Sequence, residues 1–167
     1  MKKNKKKDAY ISRVKICQDP VNQLAIEMRA KRFDLTIEEA KNPLAGTYVG
    51  RLCLQGVLTQ DQYDAAQKYL EVKNDYLCAK GLPSAVYDEM PTSSDDKARE
   101  KWVEFATEQF SNMQEVIKET QHLYRQYNLY AAIQYIVIED QTLPHLVNSL
   151  RVALNALHKY FDRKTKW

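Results

Sequence analysis

Residues 43–81 decide the fold of this chain and read PLAGTYVGRLCLQGVLTQDQYDAAQKYLEVKNDYLCAKG. Their pattern predicts two helices joined by a very short turn. Asn42 is suited to cap the first helix, and Pro43 suits its first turn, where a missing N–H costs nothing. Gly56 supplies the left-handed residue at which a helix ends, so we expect it to have a positive φ.

The second helix of this segment has its own start and stop signals. Thr59 is followed three residues later by Gln62, the spacing of a capping box, and the helix is expected to stop at Gly81. A turn this short makes the two helices pack closely, which is the geometry of helix-turn-helix modules. The same pattern is typical of an ordinary helical hairpin in a bundle, so both interpretations stay open.

The whole chain predicts an all-α protein built as a multi-helix bundle. Its 167 residues include only four glycines and five prolines, and no stretch alternates strictly between apolar and polar residues. No run is apolar enough to cross a bilayer, and the N-terminus lacks the apolar segment of a signal peptide. We therefore expect a cytoplasmic protein without a membrane partner, whose Cys17, Cys53 and Cys78 are buried, reduced thiols.

Positive charge is concentrated at the N-terminus. Residues 1–16 contain seven basic side chains and one acidic side chain, a charge of +6; with +3 for the whole chain, the remainder carries −3. We expect residues 1–9 to form a disordered basic arm that attracts phosphates without reading base sequence, or alternatively a solvated tail that aids solubility. The predicted nucleic-acid-binding residues here are Lys2, Lys3, Lys5, Lys6, Lys7, Arg13 and Lys15.

The helix that begins at Pro20 is predicted to have two different faces. The residues expected to point inward are Val21, Leu24, Ala25, Met28 and Phe33. Predicted contacts with DNA phosphates on the opposite face, and on the helix of the opening segment, are Arg29, Lys31, Arg32 and Arg51. Basic side chains near a helix C-terminus are also stabilised by the helix dipole, so this patch does not require DNA. Thr36 and Glu39 predict a further capping box.

The prolines and turn-forming residues of 82–95 predict a linker. It divides the chain into the arm 1–9, an N-terminal helical unit 10–81 and a C-terminal helical unit 96–167. A long central helix is expected to run from 96 to about 127. Its apolar stripe predicts core packing against residues 129–138, and a subunit interface is the alternative. The stripe comprises Trp102, Phe105, Gln109, Met113, Val116, Thr120, Leu123 and Tyr127.

The last third of the chain predicts two more helices. Residues 129–138, LYAAIQYIVI, are apolar nearly all round and belong in the centre of a core. Pro144 restarts a helix whose apolar stripe comprises Leu146, Val147, Leu150, Leu154, Leu157 and Phe161. The predicted partner-binding residues lie on or beyond its other side and are Arg151, Lys159, Arg163 and Lys164.

Motifs for catalysis and cofactor binding are absent from the sequence. There is no glycine-rich phosphate loop and no nucleophile elbow, and His122, His145 and His158 are isolated. Carboxylates are scattered over faces expected to be solvated, so no acid–base pair is indicated. We therefore expect a protein that is not an enzyme and holds no cofactor or metal.

Two blocks of sequence resemble small helical proteins of alphaproteobacterial phages, prophages and gene transfer agents. Residues 19–69 contain the pattern G-x-x-x-G-R-L-x-L-x-G followed by T-x-x-Q-Y-x-A-A, and residues 137–161 read VIEDQTLPHLVNSLRVALNALHKYF. The resemblance to the GafZ-like members of this group implies partnership with RNA polymerase in activation or antitermination. The lysine-rich arm and the long central helix lie outside the resemblance.

The sequence leads to three functional hypotheses. The first is a transcription regulator of the phage or gene-transfer-agent type, which would contact DNA phosphates through its arm and the basic helix surface and would meet RNA polymerase or another protein through its C-terminal unit. The second is a small terminase subunit, which would package DNA as a ring assembled through the long helix. The third is an interaction adaptor that does not bind nucleic acid. Oligomeric state separates the first two.

Overall fold

A computed structural model describes residues 20–83, 85–86 and 96–165. The predicted arm, residues 10–19 of the predicted N-terminal unit (which include Cys17) and most of the predicted linker lie outside these residues. The described part of the chain contains seven α-helices and no strand, which confirms the all-α bundle. The helices are α1 Pro20–Phe33, α2 Ile37–Lys41, α3 Tyr48–Leu54, α4 Gln60–Ala79, α5 Asp96–Leu123, α6 Leu129–Ala132 and α7 Val147–Thr165.

Both predicted capping boxes are confirmed. At the start of α2, the Thr36 hydroxyl accepts a hydrogen bond from the Glu39 N–H at 3.2 Å, and the Glu39 carboxylate accepts one from the Thr36 N–H at 2.8 Å. The same reciprocal pair joins Thr59 and Gln62 at the start of α4. These boxes satisfy backbone donors that have no partner within the first helical turn.

The first helix of the opening segment is divided, whereas the sequence predicted one continuous helix from Pro43. A 3₁₀ turn, Pro43–Gly46, is capped by Asn42 as expected. Thr47 then adopts an extended conformation and caps α3 by accepting a hydrogen bond from the Gly50 N–H at 3.1 Å. Threonine is favoured at this capping position, so the helix restarts there.

Two glycines make this compact arrangement possible. Gly56 has the predicted positive φ, +72°, and the following N–H of Val57 returns to the Leu52 carbonyl, which closes α3. At Gly50, a Cβ atom would lie 1.9 Å from the Leu44 carbonyl oxygen. The 3₁₀ turn therefore lies against α3 at a distance that only glycine permits.

α4, α5 and α7 pack against one another and form the centre of the bundle, with α3 and residues 129–138 completing the core. One apolar cluster thus joins helices from both sides of the predicted linker. Its largest fully buried side chains are Met113, Ile117, Leu129, Ile136, Leu150, Leu154 and Leu157. The stripe predicted for α7 supplies three of these side chains, at Leu150, Leu154 and Leu157.

The long helix α5 ends at Leu123, four residues earlier than predicted. Its buried side is narrow and contains Ala106, Met113, Ile117 and Thr120. Met113 was expected there, but Phe105 is exposed, so the prediction that Phe105 packs in the core is wrong. The helix packs chiefly against α4 and α7 rather than against residues 129–138.

The apolar segment 129–138 lies in the core, as predicted, although it is not one α-helix. α6 continues as the π-helical segment Ile133–Ile138, and Tyr130 and Tyr135 point outward. Beyond it, Asp140 has a positive φ of 52° and accepts a hydrogen bond from the Tyr48 N–H at 2.6 Å. Asp140 therefore joins the C-terminal part of the chain to the start of α3.

The N-terminal part of α1 does not face the core as the sequence predicts. Val21, Leu24 and Met28 are 75%, 60% and 62% exposed, and Ala25 is exposed as well. The contact side instead contains the buried Ala30 and the half-buried Phe33. The predicted inward orientation is therefore wrong for the first four residues, because α1 meets the short helix α2 with its C-terminal end.

Candidate DNA and partner surfaces

The C-terminal end of α1 presents two of its three predicted basic side chains to solvent. Lys31 and Arg32 are exposed, and the Arg32 guanidinium lies 5.2 Å from the centre of the Phe33 ring. Arg29 is half-buried and donates a hydrogen bond to the Ala40 carbonyl at 2.9 Å. Lys31 and Arg32 are available to a phosphate, whereas Arg29 holds α1 against α2.

Arg51 does not belong to the predicted DNA-binding surface. It is only 5% exposed, its guanidinium carbon lies 3.6 Å from the centre of the Phe33 ring, and it donates to the Ala45 carbonyl at 3.3 Å. Burial lowers the pKa of Arg51 and the Asp140 carboxylate opposes that change. The guanidinium stays charged, because arginine does not deprotonate in proteins. Arg51 thus connects α3 to α1 through a cation–π contact.

The hairpin of α3 and α4 has the geometry of a bundle hairpin rather than of a base-reading module. α4 lies between α5 and α7, and Gln62 at its start is buried and donates to the Asn155 amide oxygen on α7 at 2.8 Å. The exposed residues of its first turns include Asp61 and Asp64. Two carboxylates are unfavourable next to DNA phosphates.

The predicted residues of the N-terminal arm, Lys2, Lys3, Lys5, Lys6, Lys7, Arg13 and Lys15, lie outside the described part of the chain. Their role remains a prediction from sequence. The first described helix, α1, begins at Pro20, and its exposed basic side chains Lys31 and Arg32 lie in its last turn.

Two of the predicted partner-binding residues, Lys159 and Arg163, line a groove between α5 and α7, which we call the α5–α7 groove. Arg151 is exposed on α7 but is not part of the groove lining, and the side chain of Lys164 is outside the described residues. The other lining residues are Val116, Glu119, Thr120, Leu123, Tyr124, Val152, Asn155, Ala156 and Tyr160.

Sequence analysis missed the turn that ends α5 beside this groove. The Gln121 side chain donates to the Tyr127 carbonyl at 2.7 Å and accepts from the Leu129 N–H at 2.8 Å, and Asn128 caps α6. This turn leaves Leu123 79% exposed. Asn128 was the available signal, because asparagine immediately before an apolar run is a helix start.

The described residues contain no disulfide, no metal site and no membrane-spanning helix. Cys53 and Cys78 form no disulfide; Cys78 is buried as predicted, and Cys53 is half-buried. Residues 20–83, 85–86 and 96–165 contain no group of three or more His, Cys, Asp or Glu side chains placed to hold a metal ion. In the same ranges, no helix combines the length and the apolar character that crossing a membrane requires.

Comparison with protein-family models, curated proteins and solved structures found no match to this chain.

Proposed function

We propose that the protein is a non-enzymatic transcription regulator that binds DNA phosphates with its N-terminal part and RNA polymerase with its C-terminal part. The observation that carries the proposal is the separation of two exposed basic surfaces. Lys31 and Arg32 lie on α1, which follows the lysine-rich arm, whereas Lys159 and Arg163 lie on α7 at the α5–α7 groove. Two such surfaces on one helical body suit a protein that contacts two partners.

Binding to the DNA backbone fits the charges better than reading of base edges does. The arm and the end of α1 contribute positive charge, whereas α4, the candidate recognition helix, starts with acidic residues and lies within the bundle. Phosphate contacts of this kind position a protein on DNA without specifying sequence. Specificity in this proposal comes from the polymerase.

A salt titration of duplex DNA binding tests the first half of the proposal. Each lost phosphate contact lowers the magnitude of the log–log salt slope by about 0.9. Deletion of residues 1–7, and separately Lys31→Glu with Arg32→Glu, should therefore flatten the slope. Lys159→Glu is the matched control, because Lys159 is also exposed but lies at the α5–α7 groove. An unchanged slope in both test variants would contradict the DNA contact.

Capture of purified RNA polymerase by the tagged full-length protein tests the second half. Arg163→Glu should reduce the captured polymerase without affecting DNA binding, and Lys31→Glu should do the reverse. Failure of the wild-type protein to retain purified polymerase would remove it as the partner.

The packaging alternative has one observation in its favour. The exposed Phe105 on the long helix α5 is an apolar side chain that an intersubunit contact would cover. A terminase ring would have a mass many times the 19.5 kDa of one chain in light scattering, and Phe105→Ala would lower that mass. The regulator proposal instead expects Phe105→Ala to leave the wild-type mass unchanged.

A further inference from the structure

The α5–α7 groove has the shape of a helix-binding site. Its lining residues on α5 lie between 116 and 123, and those on α7 lie between 152 and 163, at spacings of three or four residues along each helix. One face of each helix therefore forms one wall of the groove. At 1.5 Å per residue these walls are about 11 Å and about 16 Å long, which suits a helix of two or three turns.

The fold keeps two apolar side chains exposed at one end of the groove. Leu123 is the last residue of α5, and Tyr124 follows it in the turn, where 43% of its surface is exposed. Gln121 holds this turn through hydrogen bonds to residues 127 and 129. Because the backbone is tied in this way, Leu123 and Tyr124 stay at the groove in a position that a partner can bury without reorganising the turn.

The charged side chains at the rim of the groove favour a negatively charged partner. Lys159 and Arg163 are four residues apart on α7, so they lie on the same face of that helix, and Glu119 is the single acidic residue of the lining. The salt bridges formed among the described residues include neither Lys159 nor Arg163. The groove therefore combines an apolar end with net positive charge.

We propose that the α5–α7 groove binds an acidic amphipathic helix of the protein partner. The apolar side chains of this helix lie against Leu123, Tyr124 and Val152, and its carboxylates face Lys159 and Arg163. Docking of an amphipathic helix by its apolar face is a common mode of peptide recognition. The inference deepens the proposed function and rests on it only for the identity of the partner as RNA polymerase.

Fluorescence anisotropy with designed peptides tests the inference on the full-length protein. The probe is a labelled helical peptide of about 12 residues, long enough for three turns. It has leucines spaced three and four residues apart and glutamates on one flank. The comparison peptides replace the glutamates with lysines, or keep the composition in a scrambled order. The acidic peptide should bind saturably and better than both, and its affinity should fall as salt is raised.

Variants of the protein identify the groove as the binding site. Leu123→Ala should weaken binding of the acidic peptide by about tenfold, because an apolar contact is lost. The double variant Lys159→Glu with Arg163→Glu should weaken binding by about the same factor, because the charge of the groove is reversed. The matched controls are Phe105→Ala, an exposed apolar residue of α5, and Lys101→Glu, an exposed basic residue of the same helix; neither residue lines the groove. Both controls should bind the peptide as the wild type does.

Three results would overturn the inference: no saturable binding of the acidic peptide, equal binding of the lysine peptide, or equal losses in the control variants. It would also fall if the wild type formed an oligomer that Leu123→Ala dissociates, because a second copy would then cover the groove. Peptide binding together with failure to capture polymerase would reject the proposed function alone. Capture of polymerase that Leu123→Ala leaves intact, with no peptide binding, would reject the groove alone.

Discussion

α1 and the central bundle are both helical, but different interactions hold them in place. The bundle of α4, α5 and α7 is held by a continuous apolar core in which Met113 is completely buried. α1 exposes most of its apolar side chains and is attached by the hydrogen bond of Arg29 and by the stack of Arg51 on Phe33. Replacing the same residue type should therefore change the free energy of unfolding by different amounts in the two regions.

Met113, in the bundle, and Met28, on α1, provide the sharpest test of this difference. Met113→Ala removes a fully buried side chain and should lower the free energy of unfolding by about 2 to 5 kcal/mol. Met28→Ala, on the exposed side of α1, should change it by no more than about 0.5 kcal/mol. Chemical denaturation measures both, and a large loss from Met28→Ala would mean that α1 is covered in solution.

The close contact between the 3₁₀ turn and α3 should be almost as sensitive. Gly50→Ala places a methyl group against the Leu44 carbonyl oxygen, so the backbone has to move, at a cost of about 3 kcal/mol. Gly46→Ala is the matched control, because a Cβ there meets no atom within 4 Å. Thermal unfolding of the two variants should differ clearly, and equal melting temperatures would contradict the observed packing.

Loss of the arginine stack should loosen α1 without opening the bundle. Arg51→Ala should cost about 2 kcal/mol, from the cation–π contacts with Phe33 and Tyr48 and one charge-assisted hydrogen bond. Hydrogen exchange should become faster in α1 and α2 and stay slow in α4 and α7. Phe33→Ala should speed exchange in the same helices. The double variant should cost less than the sum of the two single variants, because both single changes remove the contact between Arg51 and Phe33. Faster exchange throughout the bundle would contradict this division.

The smallest effect concerns the capping box of α2. Hydrogen bonds from the Thr36 backbone and hydroxyl lower the pKa of Glu39 below its ordinary value of 4.5. Their contribution to stability is therefore fully present above pH 4.5 and is lost as the pH falls through the lowered pKa. Glu39→Gln keeps a hydrogen-bonding side chain without the charge. The difference between Glu39→Gln and the wild type in the free energy of unfolding, measured by urea denaturation, should shrink as the pH falls. Thr36→Ala should reduce this difference without removing it, because the hydroxyl hydrogen bond is lost while the backbone N–H of residue 36 remains.

Local signals in the sequence were sufficient for the capped starts of α2 and α4, for the end of α3 and for one helix face. Thr36, Thr59 and Gly56 act as predicted, because caps and positive φ values depend on a few neighbouring residues. The core stripe of α7 also followed from its spacing, because that helix has one strongly apolar face.

Contacts between distant residues were beyond these rules. Nothing in the spacing of α1 shows which element lies beside it, so its exposed face was taken for its buried one. Arg51 was assigned to a surface because arginine is usually exposed, and its burial depends on Phe33, eighteen positions earlier. The placement of Lys159 and Arg163 along one groove likewise required the position of α5.

The hydrogen bond from Tyr48 to Asp140 has a consequence for the nascent chain. The two residues are separated by 92 positions, and the Gln62–Asn155 bond spans 93. At about 5 to 20 residues per second, a ribosome takes about 5 to 18 seconds to add the missing partner. During that interval the first helices have emerged but lack the residues that complete their ends. We therefore expect slower translation to lengthen the time for which α4 lacks its partners in the core.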